Sequence, residues 1–344
     1  MKKRKLFVGF MIVFTVMLSS FAFYFWQVVY TPNILVEKQD QPFLIPPGSD
    51  FKYVQNTLYD QGYVTDLVSF SFLSKLKKYH KNVKPGYYTL TADMSNTAAI
   101  NLLRSGAQTP VTLTFNNARK LEHLAGKMAA TMAFDSLQMK ETLTQTGKAA
   151  KYGFDSLNFI SMFIPNSYEV YWTESPDQIL DRMKKEYDRF WNAERKQKAT
   201  EIGLDPNEVS TLASIVQGEV SKQEEAPIIA GLYLNRIKSS IPLQADPTLV
   251  FAANDFTIRR VLNIHKEIDS PYNTYKNLGL PPGPISQPTI QNIDAVLNYK
   301  DHKYLYMCAK ADFSGYHAFA TNLIDHNKNA RALHRALNRE RIYR

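Results

Sequence analysis

The chain has 344 residues, enough for two domains, and 44% of them are apolar, enough to fill ordinary cores. Its formal charge of +9 is uneven, because Lys2, Lys3, Arg4 and Lys5 supply four of the nine. The mildly basic remainder suits an anionic polymer or a membrane surface, and without a basic run interleaved with aromatics it does not point to nucleic acid.

Residues 1–5 form a basic tail, and the chain from Leu6 to Tyr30, "LFVGFMIVFTVMLSSFAFYFWQVVY", is uncharged and mostly apolar. As a helix it would rise about 37 Å, enough to cross a hydrocarbon core with some tilt. Trp26 and Tyr30 stand where an outer aromatic belt would lie, and the basic tail places the N-terminus in the cytoplasm. A cleaved signal peptide is the rival reading, since Ser20-Phe21-Ala22 resembles a small-x-small site. The apolar run continues for eight residues beyond Ala22, which favours an anchor over residues 6–30. Either way the body of the protein is exported.

Residues 31–42 read as a polar linker. "FLIPPGSD" then predicts a short strand stopped by two prolines, with a turn and a helix cap behind it. Two helical patterns follow, one reaching Gly62 and one over "LVSFSFLSKLKKY". "KPGYYTLT" reads as a turn and an alternating strand. "DMSNTAAINLLRSG" is a helix capped by Ser95 or Asn96 and stopped by Gly106, and "PVTLTF" is a closing strand. These elements predict a module over residues 43–115 with no catalytic signature. Residues 116–200 read as a mainly helical connecting region. In it "DQILDRMKKEYDRFWNAERKQK" has the acid-early, base-late pattern of one long helix, and "FIPNSYEVYW" is strand-like.

From residue 201 the signals sharpen. Asp205, Pro206 and Glu208 form a helix start with a cap, a proline at the first position and an acid at the third. Stepping about 100° per residue from Leu212 places Glu219 at about −20°, within the apolar stripe rather than opposite it. Such a carboxylate is costly unless it is paired or used. A second helix covers "APIIAGLYLNRIKSS". Beyond it, "SPYNTYKNLGLPPGPISQP" is too rich in Pro and Gly for helix or central strand, and predicts a long ordered loop. "KYLYMCAK" and "YHAFAT" read as a hairpin before a last amphipathic helix. Cys308, the single cysteine, reads as a small filler of a buried strand and excludes an intrachain disulfide. Histidines are scattered without HExxH spacing, so no metal and no cofactor is indicated.

A carboxyl held in an apolar wall has a raised pKa and donates a proton near neutrality, as glycosidic cleavage requires of the acid on the leaving oxygen. Glu219 is that acid, and Asp246 is the nearby candidate for a second carboxylate. The residues alone point to an exported enzyme acting on a glycan.

The ordered set "LASIVQGEV", "IIAGLYLNRI", "PLQADPTLVFA", "SPYNTY", "GLPPGPISQP", "YLYMCAK" and "YHAFATNLIDHNK" resembles the MltG-type (YceG-like) endolytic murein transglycosylases. The resemblance is densest over about residues 205–330, and extends more weakly through "KPGYYTL", "LLRSG" and "FIPNSYEVYW". It implies an α+β chain with an N-terminal transmembrane helix, a small LysM-like module and a mixed helical and hairpin catalytic domain, residues 201–344, with a lysozyme-like site. It also implies single-pass insertion in the inner membrane with the catalytic domain in the periplasm. Enzymes of this family cut the β-1,4 bond between N-acetylmuramic acid and N-acetylglucosamine inside peptidoglycan strands. They leave 1,6-anhydromuramyl ends and terminate nascent strand elongation, and partnership with wall-synthesis enzymes is family-implied.

The family's catalytic glutamate falls on Glu219. The resemblance assigns Gln244, Tyr272, Asn273 and Tyr275 to holding the acetamido sugars, and Asp246 to a hydrogen bond with substrate or to loop support; loop bracing is the alternative for each. Relatives usually carry a charged pair before the glutamate, as in "EKE", where this chain has Gln217-Gly218. "FNNARKLEHLA" likewise departs from the usual Glu-Gly start of its helix. A lysozyme-like hydrolase using Asp246 to place water, and a catalytically silent wall-binding scaffold, are the two rival classes.

Overall fold

The computed structural model describes residues 2–34 and 40–340, so residues 35–39 of the expected linker lie outside the described residues. The chain divides into two compact units. The first holds everything up to Leu113 together with residues 131–134 and 168–174; the second holds the rest.

In the first unit α1 (Lys2–Tyr30) is one continuous helix, long and apolar enough to cross a membrane. It is followed by β1 (Gln41–Ile45), α2 (Phe51–Asp60), α3 (Leu67–Leu76), β2 (Gly86–Leu90) and α4 (Asn96–Ser105). β1 pairs antiparallel with β2, from Gln41 opposite Leu90 to Ile45 opposite Gly86. The alternation drives Phe43, Ile45, Tyr88 and Leu90 inward, where they meet Val54, Leu58, Phe70 and Ile100 from the helices. Asp50, Asp66 and Ser95 each cap their helix through the side chain, and Gly106 ends α4 with φ +75°.

Two expectations are corrected here. β3 (Val111–Phe115) pairs with β4 (Asn166–Val170) and not with the β1–β2 ribbon. The polar stretch after α1 is also no free linker at its start: Asn33 and Ile34 are buried. Asn33 donates to Asn96 Oδ1 at 2.6 Å and to the Asp66 carbonyl at 2.9 Å, and accepts from Asp66 N at 2.8 Å. A buried amide stays there because every one of those groups is satisfied.

The second unit contains α5 (Leu121–Ala129), α6 (Ser136–Thr144), α7 (Lys148–Lys151), α8 (Pro176–Phe190) and α9 (Ala193–Glu201). The single long helix expected across α8 and α9 is broken, because Asn192 caps a new helix by accepting from Arg195 N at 2.9 Å while Trp191 turns into the core. Next come α10 (Pro206–Glu219), α11 (Ala226–Lys238), α12 (Asp246–Ala253), α13 (Asn263–Lys266) and α14 (Ile290–Leu297). The unit closes with β5 (Tyr306–Ala309), β6 (His317–Ala320) and α15 (Leu323–Arg339). β5 and β6 form the expected antiparallel hairpin. It is only partly buried, so Cys308 lines a cavity instead of filling a core.

α10 is the hub of this unit and packs on α11, α12 and α14. Polar groups fasten the long loop to it. Ile285 N donates to Ser214 Oγ at 3.0 Å, and Gln217 donates to the Gln287 carbonyl while accepting from Thr289 N at 2.7 Å and from Asn292. Gln287 is fully buried, accepting from Ala118 N and donating to the Phe163 carbonyl. The uncharged Gln217 therefore serves as a brace.

Candidate active site

The capping box at Asp205 and Glu208 sets the register of α10, and the helix runs until Val220 turns extended. Glu219 is thus its last residue. Leu212, Ala213, Ile215 and Val216 are buried, Gly218 is exposed and Glu219 is partly exposed. Glu219 is partly exposed as a residue, but its carboxyl is desolvated among Tyr233, Arg236 and Asp246. Gly218 lets α12 come close, since a Cβ there would lie 2.7 Å from Pro247 Cβ. That contact brings Asp246, the first residue of α12, beside Glu219.

The surroundings of the Glu219 carboxyl push its pKa up to about 7. Burial contributes most and the negative charge of Asp246 adds to it. The Tyr233 hydroxyl, the Asp246 backbone N–H and the charge of Arg236 work in the opposite direction without prevailing. The C-terminal end of a helix is also an unfavourable place for negative charge. A carboxyl so held is half protonated near neutrality and can both give and take a proton.

Tyr233 and Arg236 lie on α11, one turn apart, and both are buried. Burial and the charge of Glu219 hold the Tyr233 phenol well above its ordinary pKa, so it acts as a neutral hydrogen-bond donor. Arg236 donates to the Leu305 carbonyl at 2.6 Å and to those of Pro242 and Leu243 at 3.0 and 2.9 Å, which fixes the hairpin and the segment before α12 together. Neither residue stood out in the sequence, although "LYLNRI" puts two polar tips three apart, with Asn235 between them.

Two cavities meet at the acid. Glu219 and Asp246 line both a groove of about 1520 Å³ and a smaller cavity of about 380 Å³. Asp246 is exposed and accepts from the Tyr275 hydroxyl at 2.6 Å. Tyr275 and Gln244 line the smaller cavity. Gln244 is exposed, with φ +52°, and its backbone N–H is held by the Thr274 carbonyl at 3.0 Å. A non-glycine residue in that region needs such support.

Tyr272 and Asn273 line neither cavity. Asn273 is fully buried; its amide donates to the Lys266 and Ile268 carbonyls at 2.9 and 2.8 Å and accepts from Tyr275 N at 3.0 Å. Tyr272 is buried against Phe251, ring centroids 4.7 Å apart. Both therefore sit within the loop, and the Asn273 amide has both its hydrogens engaged there. Among the described residues no group of three His, Cys, Asp or Glu side chains is placed to hold a metal ion.

A family model described as the YceG-like family matches residues 43–332. The chain is 27% identical to an endolytic murein transglycosylase of Streptococcus pneumoniae (strain ATCC BAA-255 / R6), over 94% of this chain and 64% of that protein. It thus spans less than two thirds of that relative's length. An endolytic murein transglycosylase of Bacillus subtilis (strain 168) is 28% identical, covering 83% of this chain and 82% of its own. Among solved structures, a yceG-like protein of Listeria monocytogenes aligns with TM-score 0.58 and 25% identity, over 85% of this chain and 99% of the other.

Proposed function

The chain belongs to the YceG-like family, and from that premise we propose that it is a membrane-anchored endolytic lytic transglycosylase of peptidoglycan. The supporting observation is Glu219: a carboxyl with a pKa of about 7, partly exposed at a helix end, where a long groove and a second cavity meet. Glycan strands occupy the groove on either side of the cut bond. Protonated Glu219 donates to the oxygen leaving C1 of the muramyl unit, and the C1–O bond breaks with oxocarbenium character. The resulting carboxylate then takes the proton of the C6 hydroxyl as that oxygen closes on C1. One carboxyl serves both steps, so the anhydro end forms without water.

Asp246 and Tyr275 flank the acid as a hydrogen-bonded pair, and Gln244 offers its amide from the smaller cavity. These three hold the sugars, while Tyr272 and Asn273 keep the loop that presents them. The β1–β2 unit serves as a LysM-like wall-binding module. α1 spans the inner membrane with the basic tail in the cytoplasm, the catalytic unit works in the periplasm, and wall-synthesis enzymes are the expected partners.

The exposed Asp246 supports a second reading, in which it places a water and the enzyme hydrolyses the bond. Mass spectrometry of glycan ends released from purified peptidoglycan by the wild type and by Glu219→Gln separates the readings. Internal anhydro ends that disappear in the variant are expected. Reducing ends would establish the hydrolase, and no cleavage by either protein, beside a working control enzyme, would leave a scaffold.

A further inference from the structure

The large groove carries charge that the acid does not use. Among the described residues Glu219 and Asp246 are its only carboxylates, whereas Arg119, Arg259 and Arg260 all line it. None of the three arginines belongs to an ion pair among the described residues. Each is exposed. Arg119 is held by an aromatic face instead of a counter-charge: its guanidinium carbon lies 4.6 Å from the Phe256 ring centroid, and Phe256 packs in turn on Phe251. A guanidinium held over a ring face keeps N–H donors available for a bidentate acceptor. Three uncompensated cations in one concave wall concentrate anions there.

The arginines line only the large groove, while Glu219 and Asp246 line both cavities. The cationic wall therefore belongs to one side of the bond to be cut. The N-acetylated sugars of a glycan strand are neutral; the strand's regular negative charge is carried by the free carboxylates of the peptide stems on its muramyl units. A cut made inside a strand always has such a stem close by. We propose that Arg119, Arg259 and Arg260 form a subsite for the carboxylates of a stem peptide borne by a muramyl unit in the large groove. Guanidinium forks match a carboxylate in pairs of short, charge-assisted hydrogen bonds, which are stronger than neutral ones. The subsite makes the enzyme selective for strands with intact, un-amidated stems. This inference rests on the peptidoglycan reading above.

The test uses the full-length chain in detergent micelles carrying Glu219→Gln, so that bound strands are not consumed. Affinity is measured for soluble stem-bearing glycan fragments and for the same fragments with their carboxylates converted to amides. Amidation is expected to weaken binding about tenfold. Adding Arg119→Gln, Arg259→Gln and Arg260→Gln should abolish that preference, whereas Arg259→Lys with Arg260→Lys should retain part of it; equal thermal unfolding midpoints confirm that the variants are folded. Equal affinity of the parent for both fragments, or a preference that survives the three Gln substitutions, overturns the subsite while leaving the peptidoglycan reading in place. Failure to bind either fragment overturns both.

Discussion

Glu219 is placed where its ionisation is contested, and the contest has a readable sign. In the unfolded chain the carboxyl titrates near its ordinary 4.5, and in the folded protein near 7. Between those values the folded state keeps a proton that the unfolded state has released, so stability falls as pH rises through this window and is lowest above it. Glu219→Gln removes that dependence. Its melting temperature should exceed that of the wild type at pH 8 and converge with it near pH 4, a difference on the order of 1–3 kcal/mol. In the proposed mechanism catalysis depends on the same group. Activity should fall above pH 7 as the protonated acid is lost. Tyr233→Phe deletes the hydroxyl that favours the carboxylate form, so its alkaline limb should move to higher pH; Asp246→Asn deletes a repelling charge and should move it lower. Pre-steady-state rates across pH 5–9 measure both limbs, and shifts in the same direction would refute the account of the site. Asn273→Ala, by contrast, should cost about 2–4 kcal/mol of stability through three lost buried hydrogen bonds, a loss visible in denaturant unfolding.

At the level of elements the site is an agreement among α10, α11, α12 and the loop over residues 270–288. The close approaches are made possible by glycines. A Cβ on Gly283 would overlap the Leu157 carbonyl oxygen and lie 2.8 Å from its carbon, and backbone cannot yield as a flexible side chain can. Gly283→Ala should therefore destabilise the second unit by about 2 kcal/mol and loosen the loop wall, lowering the chemical unfolding midpoint and activity together. Much of this arrangement was legible in the chain. Caps at Asp50, Ser95, Asp205 and Gly106 are local signals, each acting within four residues, and the structure has all of them. The break at Asn192 was not legible, because the acid-early, base-late charge pattern spans it, and the cap at Asn192 forms where Trp191 turns into the core. Tyr233 and Arg236 are illegible in the sequence for a similar reason. Periodicity tells that a side chain faces inward but not which polar group waits there, and their partners come from other elements. Asn273 shows the converse: a motif residue whose role as a brace is visible only once its three partners are placed.

For the molecule as a whole, the telling feature is where the apolar N-terminal helix ends. Its last turn belongs to the first unit: Val28 is buried there, Asn96 donates to the Val28 carbonyl at 3.0 Å, and Thr97 donates to the Val29 carbonyl at 2.7 Å. The stretch from Leu6 to Trp26 that remains is about 31 Å long as a helix, which matches a hydrocarbon core without needing the docked turn. The last turn of a helix long and apolar enough to cross a membrane is thus part of the first unit, where the sequence had suggested that a polar linker begins at residue 31. This has a consequence for any soluble form of the protein. A chain beginning at Thr31 leaves Asn96 and Thr97 without those acceptors and uncovers the site of Val28, at a cost on the order of 3 kcal/mol from two hydrogen bonds and one buried side chain. One beginning at Trp26 keeps both. Hydrogen exchange at the amides of α3 and α4 should be faster in the shorter chain, with the second unit unchanged as an internal reference. Equal exchange would mean that α1 is only a tether, and that its contacts with α3 and α4 do not hold the unit together.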